Sequence, residues 1–242
     1  MKAMILAAGF GERLRPLTET TPKPLLQVGG KPLIQYHIEN LAAAGIREIV
    51  VNTSWLGEMI EAYLGDGSRF GVEIFWSRED APLETGGGIR RALPFLGCEP
   101  FLVINGDVWT DYPLETLIER DWSPEMDAHL VLITNPPFKS VGDFSLSDGL
   151  VSYPRPDEKS YTFSGISVMC PEMFALHPAA SEKFPLRNVL ESSVRARSVS
   201  GEVFEGTWWD VGTIDRLEML NTLLAGKPLD IAKKPRLRPR IA

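Results

Sequence analysis

Leu6-Ala7-Ala8-Gly9-Phe10-Gly11-Glu12-Arg13-Leu14-Arg15-Pro16-Leu17-Thr18 follows a short apolar run, Lys2–Leu6, and this junction decides the fold. The run reads as a buried first strand. Gly9 and Gly11 directly behind it let backbone N–H groups approach phosphate oxygens. In open α/β sheets ligands bind at the carboxyl ends of the strands, so a nucleotide is the expected occupant. Two common nucleotide motifs are excluded. A dinucleotide G-x-G-x-x-G fails because Leu14 stands at the third glycine position, and no G-x-x-x-x-G-K-[ST] string occurs. The loop carries cations instead: Arg13 inside it and Lys23 in Thr21-Pro22-Lys23-Pro24, where the prolines hold the chain extended. Two cations beside a glycine loop suit a triphosphate whose leaving pyrophosphate gains charge.

Working outward, Ile34, Ile38 and Leu41 recur at helical spacing and Gly45 stands where a helix stops. Glu48–Asn52 is a strand by composition, followed by a helical stripe of Trp55, Met59, Ile60, Tyr63 and Leu64. Val72–Trp76 reads as a strand, Ile89, Leu93 and Leu96 as a helix containing Pro94, and Phe101–Ile104 as a strand. Strands alternating with helices at this spacing predict βαβ units. The fold class is therefore α/β, with a Rossmann-like, mostly parallel sheet flanked by helices. In the second half Ala128–Thr134, Phe144–Leu146, Leu150–Tyr153 and Tyr161–Cys170 read as added antiparallel strands with few helices between them. A last helix begins near Thr213.

Three further segments carry chemistry. Ile104-Asn105-Gly106-Asp107-Val108 sets an acid at a strand end, either as a turn or cap residue or as a ligand for Mg²⁺, which takes oxygen donors in octahedral geometry. Trp208-Trp209-Asp210-Val211-Gly212-Thr213 sets a second acid just before the last helix. Asp210 caps that helix, or Thr213 does and leaves Asp210 free. The third is Pro82-Leu83-Glu84-Thr85-Gly86-Gly87-Gly88. Its glycines either bring backbone to a flat base edge or allow tight packing at a helix start. Asp107 is followed two positions on by Trp109, so the D-x-D string of metal-dependent glycosyltransferases is absent. That class and a non-catalytic nucleotide-sugar sensor are the competing readings.

The pattern L-A-A-G-x-G-x-R-x-x-P-x-T with a downstream Pro-Lys resembles the signature of nucleoside-diphosphate-sugar pyrophosphorylases, the sugar-1-phosphate nucleotidylyltransferases. The resemblance covers residues 1 to about 225. It implies a GT-A-like nucleotidyltransferase fold and a Mg²⁺ ion held by Asp107 and Asp210. It also implies nucleotide contacts at Ala8, Gly9, Gly11, Glu12, Arg13, Lys23, Gly86 and Gly87. The same resemblance makes Arg13 and Lys23 the expected catalytic cations, and Asn105, Asp143, Ser164 and Gly165 the expected sugar-phosphate contacts. UTP and a sugar 1-phosphate are the implied partners, with guanylyl transfer to mannose or heptose 1-phosphate as the alternative. Two departures stand out. Glu12 replaces a common Thr or Ser, and Tyr153-Pro154 stands where many members carry the Lys-Pro whose lysine holds the sugar phosphate.

The 242 residues are 44% hydrophobic and 24% charged, the balance of a globular chain. A net charge of −7 argues against nucleic acid as a partner, and no apolar run reaches the ~18 residues of a membrane helix. Cys98 and Cys170 form no disulfide framework, which fits a reduced cytoplasmic setting. Residues 1–225 are expected to form one nucleotidyltransferase domain. Residues 226–242, basic and proline-containing, are expected to be a disordered tail.

Overall fold

Ala3 and Ile5 face one hydrophobic core and Met4 faces another, so strand β1 (Ala3–Leu6) is buried on both sides. A near-continuous apolar run is what such a position demands. The computed structural model of the chain describes residues 1–175 and 181–226. The expected tail lies outside the described residues from position 227 onward. After β1 come a small ribbon, β2 (Gln27–Val28) and β3 (Lys31–Pro32), and helix α1 (Leu33–Ala43). Strand β4 (Glu48–Thr53), α2 (Gly57–Leu64), β5 (Glu73–Arg78), α3 (Glu84–Leu96) and β6 (Phe101–Asn105) complete the alternating half. The second half holds β7 (Val108–Thr110), α4 (Glu115–Ile118), β8 (Ala128–Thr134), β9 (Ser145–Ser147), β10 (Leu150–Ser152) and β11 (Tyr161–Met169). It closes with α5 (Glu172–Ala175), α6 (Leu186–Ala196), β12 (Val199–Phe204), β13 (Trp208–Asp210) and α7 (Ile214–Leu224).

The main sheet has nine strands in the order β5-β4-β1-β6-β11-β8-β12-β10-β9. The pairs from β5 to β6 are parallel, so the α/β reading of the first half holds. Strand β11 joins antiparallel to both β6 and β8. Two features of the second half were not anticipated. Strand β12 was not among the expected strands, and it runs parallel to β8. Helix α6 is also longer than the few helices expected there. Its buried stripe of Leu186, Val189, Leu190 and Val194 is diluted by Arg, Asn, Glu and Ser on the other face, which hid it in composition. Pro94 does not break α3, because it falls in the last turn, where the one bond its missing N–H removes lies next to the helix end at Leu96.

Helices α1 and α2 pack one face of the sheet through Ile34, Ile38, Ile60 and Leu64, and α3 and α6 pack the other through Ile89, Ala92, Val189 and Leu190. Helix α7 packs elsewhere, on a third cluster with Leu14, Leu26, Val28 and Val211. That cluster ties the end of the chain to the loop after β1.

Helix α1 also buries His37, close to Asp107 and the Val108 backbone. Burial outweighs the pull of Asp107 and lowers its pKa from 6.5 to about 4. Between those values the unfolded chain binds a proton that the folded chain does not. Stability therefore rises with pH across that window and falls on acidification. The loss reaches about 3 kcal/mol at ~1.4 kcal/mol per unit. His37→Leu is expected to flatten this segment of a stability-versus-pH curve measured by urea unfolding. Parallel curves for the two proteins would contradict it.

Candidate active site

Three of the parallel strands deliver polar groups at their carboxyl ends, which is where a βαβ sheet opens a crevice. Asn52 comes from β4, Glu79 follows β5, and Asn105 and Asp107 end β6 or follow it. They border a cavity of about 680 Å³ with the loop after β1 on one side. Such a volume suits a nucleotide-sized ligand. Ala8, Gly9, Gly11, Glu12, Arg13 and Lys23 line it.

The loop is held by its own chemistry. Gly11 adopts φ +65°, and a Cβ there would lie 2.8 Å from Thr18 Cγ2, so only glycine fits. Thr18 Oγ1 donates to the Gly11 carbonyl (2.9 Å), and Trp55 Nε1 donates to the Thr18 carbonyl (3.0 Å). A buried relay, overlooked in the sequence, joins this loop to the other cavity wall. Asn52 Oδ1 accepts from Ala7 N–H (2.8 Å), Asn52 Nδ2 donates to Glu79 Oε1 (2.7 Å), and Glu79 Oε2 accepts from Leu83 N–H (2.8 Å). The signal available was a polar residue at the carboxyl end of each of two apolar strands.

The two aspartates are 103 positions apart and meet through a two-stranded ribbon. Strands β7 and β13 pair antiparallel with Asp210 opposite Val108, and Val211 N–H donates to the Asp107 carbonyl (2.8 Å). Trp208 Nε1 anchors the ribbon to the Ser164 carbonyl of β11 (2.8 Å). Thr213 Oγ1 caps α7 by accepting from Arg216 N–H (3.3 Å), which leaves the Asp210 carboxylate to the site.

Each carboxylate has a cationic partner. Lys23 Nζ donates to Asp107 Oδ2 at 2.6 Å, and Arg216 Nη1 donates to Asp210 Oδ2 at 3.0 Å. A Cβ built on Gly212 would lie 2.5 Å from Arg216 Nη2, 2.6 Å from Asp210 Oδ1 and 3.1 Å from Arg13 Nη2. Three charged groups therefore converge on that glycine. Burial pushes the Asp107 carboxyl up, but Lys23 and Arg13 outweigh it and hold the pKa below the ordinary value. Asp210 goes the other way: burial and then the neighbouring Asp107 charge raise it, only partly offset by Arg216, Lys23 and Arg13. Asp210 Oδ1 is buried with no hydrogen-bond partner. An unpaired buried carboxylate oxygen beside a second carboxylate is the donor set a hard divalent cation takes, with phosphate oxygens and water completing its shell. These residues fit a metal. Arg216 was not singled out in the sequence, although a basic side chain one turn past Asp-Val-Gly-Thr was visible there.

The remaining expected residues do not border the cavity. Gly86 and Gly87 are packed under residues 182–184: added Cβ atoms would meet Phe184 Cδ2 at 2.6 Å and the Glu182 carbonyl at 2.1 Å, and Gly87 N–H donates to the Phe184 carbonyl. Their glycine requirement is met by packing, and Pro82, Glu84 and Thr85 face the cavity in their place. Asp143 Oδ2 accepts from Lys139 Nζ (2.5 Å) and from Phe163 N–H (2.9 Å). Ser164 is buried, and its Oγ accepts from Ile166 N–H. Gly165, at φ +84° in a bulge of β11, makes room for the Asn105 side chain, which an added Cβ would meet at 2.7 Å.

Residues 2–144 match the model of the nucleotidyl transferase family. The chain belongs to that family. Within it, the chain is 52% identical to an N-acetylmuramate alpha-1-phosphate uridylyltransferase of Neisseria meningitidis over 92% of its own length and 98% of the relative's. It is 35% identical to a protein of the same name from Caulobacter vibrioides, covering 87% of this chain and 91% of that one. A mannose-1-phosphate guanyltransferase of Yarrowia lipolytica is 36% identical, but this chain spans only 61% of its length. A solved structure described as a glucose-1-phosphate thymidylyltransferase of Bacillus anthracis superposes with a TM-score of 0.83 at 23% identity, covering 93% of this chain and 95% of that one, which shows the shared fold. Nucleotidyl transferases of this kind use a divalent metal. Among the described residues no helix is long and apolar enough to cross a membrane.

Gly212→Ala is expected to leave the thermal unfolding midpoint close to wild type while displacing the Asp210 carboxylate. Misplacement by ~1 Å at a reacting centre costs about 10²-fold. Turnover within twofold of wild type would show that the convergence at Gly212 is not needed.

Proposed function

We propose that the protein transfers a uridylyl group from UTP to N-acetylmuramate α-1-phosphate, giving UDP-N-acetylmuramate and pyrophosphate, with Mg²⁺ as the metal and residues 1–225 as the catalytic unit. The observation that carries this reading is the pair of carboxylates, each matched with a cation, at the edge of a cavity walled by a glycine loop. The names of its relatives supply the base and the sugar. The reaction is a phosphoryl-centre displacement. An oxygen of the sugar phosphate forms a bond to the α-phosphorus, the bond to the β-phosphate bridging oxygen breaks, and its electrons leave with pyrophosphate. No general base is required, because a phosphate monoester with second pKa about 6 is largely dianionic at pH 7.

The protein's task is then positioning and charge neutralisation. Backbone of residues 8–11 cradles the triphosphate, and Arg13 and Lys23 take up the charge that grows on pyrophosphate. Asp107 and Asp210 would hold the Mg²⁺, which would supply charge neutralisation for the reacting phosphates. The Asn52–Glu79 relay keeps both cavity walls in register. A nucleoside triphosphate donor and two free thiols, Cys98 and Cys170, fit a cytoplasmic enzyme that recycles peptidoglycan sugar.

The test is pyrophosphate release with Mg²⁺, crossing UTP, dTTP and GTP with the 1-phosphates of N-acetylmuramate, N-acetylglucosamine, glucose and mannose. Release only with UTP and the muramate substrate is expected. Release with GTP and mannose 1-phosphate would replace the substrates and keep the chemistry. Asp107→Ala should cut turnover by about 10²–10³-fold, the usual cost of a well-placed electrostatic contact. Full turnover in that variant would sink the mechanism.

A further inference from the structure

Three basic side chains surround the two aspartates, and two of them have an evident destination. Arg13 and Lys23 line the cavity beside the glycine loop, where a triphosphate would lie. Arg216 does not line it. It reaches Asp210 from α7, with its side chain only 12% exposed. Its guanidinium also carries the ring of Phe138, 4.4 Å from its central carbon, although Phe138 itself is 54% exposed. Phe138 belongs to the segment whose Asp143 is pinned to β11 at Phe163, two residues from the Gly165 bulge that accommodates Asn105. Arg216 thus stands beside Asp210 and Gly212, close to Arg13, with Phe138 of the 138–143 segment against its guanidinium.

The charge balance gives this placement a purpose. In the metal-free site both carboxylates are neutralised by side chains, Lys23 on Asp107 and Arg216 on Asp210. A divalent ion taking both carboxylates leaves two cations without partners, just as two phosphate-bearing substrates arrive. Lys23 adjoins the triphosphate. The attacking phosphate, a dianion, needs its own counter-charge; among the described residues Lys183 also lines the cavity, but the lysines next to the 138–143 segment and Tyr153 have other contacts. Lys139 is paired with Asp143, Lys159 lies over the Tyr161 ring at 5.0 Å, and Tyr153 faces the core beside Phe144. A planar guanidinium with one face covered by an aromatic ring keeps its edge free for two parallel hydrogen bonds to phosphate oxygens.

We propose that Arg216 is the residue that binds the phosphate of the sugar substrate, and that it is held on Asp210 until the metal takes that carboxylate over. The proposal rests on the nucleotidyl-transfer reading above. It also explains how the chain manages with Tyr153-Pro154 where its resemblance led one to expect a phosphate-binding lysine. Metal and sugar phosphate then bind in one coupled exchange, because the ion releases the side chain the phosphate needs.

The experiment uses Arg216→Gln and Arg216→Lys in the full chain, with thermal unfolding as a check on folding. Two readouts are taken: KM for each substrate, and Mn²⁺ affinity of the nucleotide-free protein by electron paramagnetic resonance of unbound Mn²⁺. For Arg216→Gln, KM for N-acetylmuramate 1-phosphate should rise at least about tenfold, the size of one lost charged contact. KM for UTP should stay near wild type, and Mn²⁺ affinity should be unchanged or tighter, since a competitor for Asp210 has gone. Arg216→Lys should fall between the two and decides the matter alone if the Gln variant does not fold. Weakened Mn²⁺ binding with an unchanged sugar KM would make Arg216 a residue that merely orients Asp210 and would overturn the proposal. An equal rise in KM for UTP would overturn it too, by assigning Arg216 to the triphosphate. Absence of pyrophosphate release by the wild type with every substrate pair would instead remove the nucleotidyl-transfer reading itself, and the Mn²⁺ titration stands independently of it.

Discussion

Asp107 and Asp210 repel one another at the end of a short antiparallel ribbon, and the remainder of the site is organised by that repulsion. Two half-buried like charges are costly unless each is matched. Lys23 and Arg216 supply the match in the metal-free protein. It is incomplete, since Asp210 keeps one buried oxygen without a partner and a raised pKa. The site therefore stores an unmet demand for positive charge, which a divalent ion answers. Under the proposed function, the cations such an ion would displace are the groups a phosphate would seek.

The scaffold converts this local electrostatics into a cavity. Strands β4, β5 and β6 end on the same side of the sheet as β1, so Asn52, Glu79, Asn105 and Asp107 surround one opening. The Asn52–Glu79 relay is buried and fully satisfied, the condition under which a polar network rigidifies what it joins. On the remaining side the β7–β13 ribbon and the bulge of β11 are bolted together by Trp208 and Ser164. Helix α7 then brings Arg216 to the aspartates while its apolar face packs against the loop after β1.

The first half of the fold was legible because its signals are local. Apolar runs of four to six residues, helical stripes and glycines at strand ends need no partner to be recognised. The second half was harder. Helix α6 pairs a narrow apolar stripe with a polar remainder, and β12 carries Gly201 and Glu202 within a strand. Its parallel pairing with β8 depends on where the intervening chain returns, which composition does not encode. Among site residues, Arg13, Lys23, Asp107 and Asp210 were readable from short strings. Gly86 and Gly87 show the opposite case: a glycine that admits a ligand and a glycine that admits Phe184 look identical in sequence.

By itself the sequence determined the parallel half of the sheet, the glycine loop after β1 and the four charged residues gathered beside it, because each is written in contiguous positions with a distinct backbone requirement. Only the tertiary structure decided that acids 103 positions apart share one site, that Asn52 and Glu79 brace its walls, and that Arg216 belongs to it. Those relations are made by a ribbon pairing, a buried relay and a helix docked at the chain's end. Each joins residues whose separation along the chain leaves no mark on local composition.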